Sequence, residues 1–144
     1  MADRVRRPER FKDFLTEITQ EKSVFRTYKD AMVFAACLGY SRGKRVPFDK
    51  TSEPINLQVF SGKFDEMVMN TIAIAELDDP FVMARNKEDE KIRIFEEYAC
   101  GGLEIMENEV AQGKLAIDEG LISMIMGEEE SDRILDEITE LGRL

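Results

Sequence analysis

The chain has 144 residues, 43% hydrophobic and 35% charged, with 20 Lys+Arg against 30 Asp+Glu and a net charge of −10. That length suits one domain with a core of its own, and no stretch approaches the roughly 18 apolar residues a transmembrane helix needs. There is no histidine, so the usual acid/base near neutral pH, the commonest metal ligand and the partner that activates a serine or cysteine nucleophile are all missing.

The start, MADRVRRPER, is basic but leads into no apolar segment, so no secretory signal is expected. Residues 1–7 hold three arginines and read as a flexible basic arm ahead of a single helical domain over 8–144. Pro8 suits a first helical turn, and Phe11, Phe14, Leu15 and Ile18 then form an apolar helical face that fades near Glu21 to Ser23. Thr27 is a plausible N-cap with Asp30 three residues on. The stretch from Ala31 to Leu38 is apolar around most of a helix, which belongs at the centre of a bundle. Gly39 or Gly43 ends it. Pro47 and Pro54 bracket a linker where no helix persists.

INLQVF, residues 55–60, alternates Ile55, Leu57 and Val59 and is the one candidate extended segment. Ser61 reads as an N-cap before a helix with Phe64, Met67, Val68, Thr71, Ile72 and Ala75 on its apolar face. Pro80 suits a short helix start, and Asn86 a cap for a long helix carrying Ile92, Phe95, Leu103 and Met106. Gly101-Gly102 marks either a kink in that helix or a close backbone approach. A short amphipathic stretch over 116–127 follows. An acidic C-terminal helix then starts at Ser131, with Ile134, Leu135, Ile138 and Leu141 in register. The expected fold is mainly α, a single compact bundle of about five to seven helices.

No phosphate-binding glycine loop, dinucleotide fingerprint, CxxC pair or calcium loop occurs. Cys37 and Cys100 sit in apolar helical contexts and suit buried free thiols in a reducing compartment, the cytoplasm by default. Charge is divided unevenly. Residues 1–50 carry 12 basic against 7 acidic groups, whereas residues 51–144 carry 8 against 23.

Candidate phosphate or DNA contacts are Arg42, Lys44, Arg45 and Lys50, joined by Arg6 and Arg7 and near them Arg4 and Arg10. The alternative use of these cations is to cap a helix C-terminus and pair with the acidic half. The candidate partner-binding surface is Ile122, Met124 and Met126 beside Glu128 and Glu129, an apolar patch next to acid. Methionine is frequent, eight in all, and serves either as core filler or as an adaptable binding surface. No catalytic, metal or cofactor set is read. An enzyme would have to rely on carboxylates such as Glu96, Glu97 and Glu104.

The basic start with Pro8, YKDAMVFAACLGYSRGKRVPF at 28–48 and KIRIFEEYACGGLEIM at 91–106 resemble the Dnd system-associated protein 4 family, linked to DNA phosphorothioation. The likeness runs from about Arg4 to Met106 and weakens in the acidic tail. It implies a bacterial cluster that marks DNA with sulfur or restricts unmarked DNA, and it supplies no catalytic residues. The expected role is an accessory subunit that binds a larger defence-system protein, an ATPase or nuclease, with DNA backbone contact as an addition. A stand-alone DNA-binding or regulatory protein, acting as a homo-oligomer, is the alternative. Neither needs a membrane.

Overall fold

The computed structural model describes residues 3–78 and 87–112. Over these residues the protein is mainly helical, with one small antiparallel sheet. A 3-10 turn, Glu9–Phe11, enters α1 (Lys12–Thr16), which widens into a π-helical stretch, Glu17–Glu21. Thr16 and Thr19 donate their hydroxyls back to the Lys12 and Leu15 carbonyls, a competition with the helical ladder that distorts helices. Ser23, at φ 54°, then takes the chain out of helix.

Helix α2 (Tyr28–Ser41) starts where expected, with Thr27 accepting from the Asp30 amide at 3.2 Å. It ends at Gly43, whose φ of +64° suits glycine best, with the Lys44 amide closing back on the Gly39 carbonyl at 2.8 Å. Helix α3 (Lys63–Leu77) and helix α4 (Glu88–Gln112) complete the set. Four α-helices stand among the described residues, not five to seven. The segment 9–21 is one irregular helix, and α4 passes through Gly101-Gly102 without a break. The expected helix start at Pro80, the cap at Asn86 and the helices of 116–144 lie outside the described residues.

The glycine pair proves to be a close approach. A Cβ on Gly102 would run into the Ala35 carbonyl of α2, one on Gly39 into the Tyr98 carbonyl of α4, and one on Gly101 into the Lys44 carbonyl. The α2 and α4 backbones therefore touch, with Ala35, Ala36, Ala99 and Cys100 filling the small remaining space. The core also holds Phe11, Leu15, Met32, Phe95, Leu103 and Met106, all fully buried. The chain leaving α2 stays on α4, where the Val46 amide donates to the Glu97 carbonyl at 3.0 Å.

Residues 3–7 do not stand off as an arm. Strand β1 (Arg4–Val5) pairs antiparallel with β2 (Ile55–Asn56), and Val5 is wholly buried. The Ser52 and Glu9 amides continue this pairing onto the Arg7 and Lys50 carbonyls. Between Val5–Ile55 and Arg7–Ser52 the second segment advances one residue more than the first. The resulting bulge falls at Glu53-Pro54, where proline has no N–H to lose. The extended reading of 55–60 holds for two residues only. Leu57–Phe60 turns into a 3-10 helix that buries Phe60 and leaves Val59 49% exposed.

Candidate functional site

The basic segment after α2 lies along α4, and α4 answers it with carboxylates. Arg45 donates from Nε to Glu97 at 2.7 Å and from Nη1 to Glu76 of α3 at 2.8 Å. Lys44 reaches Glu104 at 2.9 Å, and Arg10 reaches the other Glu104 oxygen at 3.2 Å. Arg6 binds Glu96 through both its backbone amide and its guanidinium. Arg42 is half exposed, 3.9 Å from Glu109.

These pairs set the local titration. Glu76 is held below the usual carboxylate range by the Tyr98 hydroxyl, which donates to it at 2.6 Å, and by Arg45. Tyr98 is pushed up to about 12 by burial and by that bond. Lys44 and Arg10 lower Glu104. Glu96 goes the other way: its carboxyl is 3% exposed, and burial raises it despite Arg6. Burial also pushes the Cys100 thiol up to about 11, which makes it an inert core group.

Of the cations singled out in the sequence, Arg6, Arg42, Lys44 and Arg45 thus converge on acidic groups of α3 and α4. Arg7 goes inward: its guanidinium lies 4.2 Å from the Tyr28 ring centroid, and Nε donates to the Glu53 carbonyl at 2.6 Å. Lys50 stays exposed, within the linker between Pro47 and Pro54. Ile122, Met124, Met126, Glu128 and Glu129 lie outside the described residues. Glu96, Glu97 and Glu104 hold cations and form no open carboxylate pair. Among the described residues no cluster of Cys, Asp or Glu is arranged to hold a metal, and no helix is long and apolar enough to cross a membrane.

Sequence reasoning missed a second feature. Helix α3 buries Asp65, Val68, Met69, Ile72 and Ala73, so it is rotated from the expected face. Asp65 is turned inward to take Lys29 at 2.9 Å. Phe64 and Met67 are left 61% and 56% exposed. Beside Met67 runs a groove of about 360 Å³ between α2 and α3, lined by Cys37, Tyr40, Ser41, Val68, Thr71 and Ile72. Its lining is almost wholly apolar. The signal was present in the sequence, since α3 carries apolar residues on two sides, but nothing there says which side is inner. A cleft of about 590 Å³ with a mixed lining opens on another side of the same turns of α3, at Glu66, Met69 and Asn70, where Asn70 keeps a buried side-chain oxygen with no donor.

The described residues thus form a glycine-seamed helical core whose basic segment is closed by its own carboxylates, and no catalytic constellation stands among them. The family model for DNA sulphur modification system-associated protein 4 matches residues 4–143, and the chain belongs to that family. No curated protein and no solved structure matches it. The match runs past the described core to residue 143, so the acidic C-terminal segment is part of the family unit.

Proposed function

We propose that the protein is a non-catalytic accessory subunit of a DNA sulphur modification system, acting in the cytoplasm by binding a larger protein of that system, an ATPase or nuclease. The carrying observation is the use of Arg6, Lys44 and Arg45 in bonds of 2.7–3.0 Å to Glu96, Glu104 and Glu97. Cations spent on internal carboxylates attract phosphate weakly, and a net charge of −10 repels DNA at longer range. A partner protein is met instead through apolar surface rimmed by acid. The segment with Ile122, Met124, Met126, Glu128 and Glu129 has that chemistry.

Direct DNA contact is a secondary role on this reading. Arg42, half exposed and only loosely held, and the exposed Lys50 are its remaining candidates, with Arg4 at the sheet edge. A tagged pull-down from the native host, with and without nuclease, tests the proposal. A stoichiometric large partner that survives nuclease supports it. Recovery of DNA alone, lost on nuclease treatment, overturns it in favour of a stand-alone DNA-binding protein. In that case affinity for DNA would fall steeply with salt, and Arg42→Glu would abolish it.

A further inference from the structure

Among the described residues every half-buried cation is answered by an acid. Arg6, Lys29, Lys44, Arg45, Lys87 and Lys91 each lie within 3.8 Å of a carboxylate. Arg7 is the most enclosed cation of all, at 6% exposure, and has no carboxylate partner. Its guanidinium carries donors on Nε and on both Nη atoms. Nε is spent on the Glu53 carbonyl at 2.6 Å, and one face lies 4.2 Å from the Tyr28 ring centroid. The Nη groups meet no acceptor among the described residues. They are also absent from the enclosed unpartnered atoms, so the tip of the fork reaches the surface.

An enclosed guanidinium without a counter-charge is costly, because its lost hydration is not replaced. Its position adds to that cost. Tyr28 is the first residue of α2, so Arg7 lies by the positive end of a 14-residue helix. Thr27 serves the Asp30 and Ala31 amides and leaves those of Tyr28 and Lys29 without an acceptor. The acid of that first turn, Asp30, lies 3.7 Å from Lys29 instead. Arg26, two residues before Tyr28, is exposed and has no ion pair among the described residues. Ser52, whose amide donates to the Arg7 carbonyl at 3.0 Å, holds a buried hydroxyl with no partner. Positive charge thus collects at one corner of a chain whose net charge is −10.

We propose that Arg7, at the N-terminus of α2, is the binding site for a phosphate group, either inorganic phosphate or a terminal phosphomonoester. The free edge of the fork matches two phosphate oxygens. A carboxylate would cancel a single positive charge. A phosphate group carries about −1.5 to −2 at pH 7, closer to the sum of Arg7, Arg26 and the helix end. A guanidinium open only at its tip is reached by a terminal phosphate and not by the internal phosphates of a duplex. The site is independent of the partner reading, which the pull-down tests.

The test uses the full-length chain, isotope-labelled at arginine nitrogen, and follows the Arg7 Nε–H resonance at constant ionic strength. Inorganic phosphate should shift it saturably at low millimolar concentration. Arg93→Gln, which removes an exposed cation of α4, should leave that titration unchanged. Arg7→Lys keeps the charge but loses the fork, and calorimetry should show phosphate binding weakened about tenfold. If that variant does not fold, the wild-type resonance decides alone. Tighter binding of adenosine monophosphate than of phosphate would name an ester as the ligand, and weaker binding the free ion. No saturable shift with either overturns the proposal. An equal response to acetate also overturns it, since the site would then be one for carboxylates. So does a stronger response to a duplex without terminal phosphates, which would put Arg7 in a DNA interface.

Discussion

On its α4 side, helix α2 meets backbone directly: Ala35 and Gly39 lie against Gly102 and Tyr98, with no room for another carbon. On its α3 side it meets α3 through Cys37, Tyr40 and Ser41 across an open apolar groove. The first contact is sealed at its edge by Arg45, Lys44 and Glu104, whereas the second stands open among the described residues. Small residues give two helices one possible distance and register. Larger apolar residues on a surface specify only that something must cover them. The α2–α4 seam is therefore the fixed contact of the fold, and the α3 face is the one left open among the described residues.

The strongest way to break this comparison is at the seam. Gly102→Val should destabilise by about 3 kcal/mol or more, the upper end for overpacking, because the obstacle is the Ala35 carbonyl and not a side chain that can swing aside. Urea unfolding measures it, and Thr71→Ala in the groove serves as the contrast, with a change of about 1 kcal/mol or less. A loss below 1 kcal/mol at Gly102 would mean that the helices separate easily and that the seam is not the anchor.

Next comes the pin that holds the N-terminal segment. Arg6→Ala leaves Glu96 buried without its guanidinium and should cost about 2 kcal/mol at pH 7. The cost is limited because burial already favours the protonated acid. It should therefore shrink as pH falls and Glu96 takes up a proton in the variant. A cost independent of pH would show that Arg6 acts through packing on Phe48, 4.8 Å from its guanidinium, and not through charge.

The remaining carboxylates give the wild type an acid limb of its own. Glu76 and Glu104 titrate below their ordinary value of 4.5 in the folded protein. Their contribution is present above that value and is lost as pH falls through the lowered folded value. Glu96, raised in the fold, has the opposite sign: its stabilising share is present below 4.5 and is lost as pH rises through the raised value. The melting temperature should fall as pH drops below about 4.5, and Glu76→Gln should flatten that fall. An unaltered slope in Glu76→Gln would assign the acid limb to other groups.

What could be read from the sequence follows the same division. Local signals were sufficient for most of α2: the Thr27 cap, the apolar circumference and a stop at Gly39 or Gly43, of which the fold uses Gly43, are all written within a few residues of where they act. The excess of base in residues 1–50 and of acid beyond them foretold the ion pairs with α4, though not their partners. Residues 3–7 were misread as an arm because their order comes from pairing with 50–57, a contact no local pattern encodes. The face of α3 was misplaced because Phe64, Met67 and Ala75 repeat at helical spacing as well as Val68, Ile72 and Ala73 do. The buried ion pair of Asp65 with Lys29, 36 residues away, is part of what fixes the rotation. The expected partner surface at 122–129 lies beyond the described residues.

Phe64→Ser is the mildest probe and the one that best locates the edge of the open face. Phe64 is 61% exposed and does not line the groove, so most of its ring is in water whether or not the groove is filled. Its replacement should change stability by no more than about 0.5 kcal/mol, the usual range for a surface site. An exposed aromatic ring on a helix is, however, a favoured anchor for a partner protein. The informative measurement is therefore paired: urea unfolding of the variant and recovery of the partner in the nuclease-treated pull-down. Unchanged stability with lost partner would extend the docking surface onto α3. A stability loss above 1 kcal/mol would show instead that Phe64 is packed in the folded protein, making the outer side of α3 core along its first two turns.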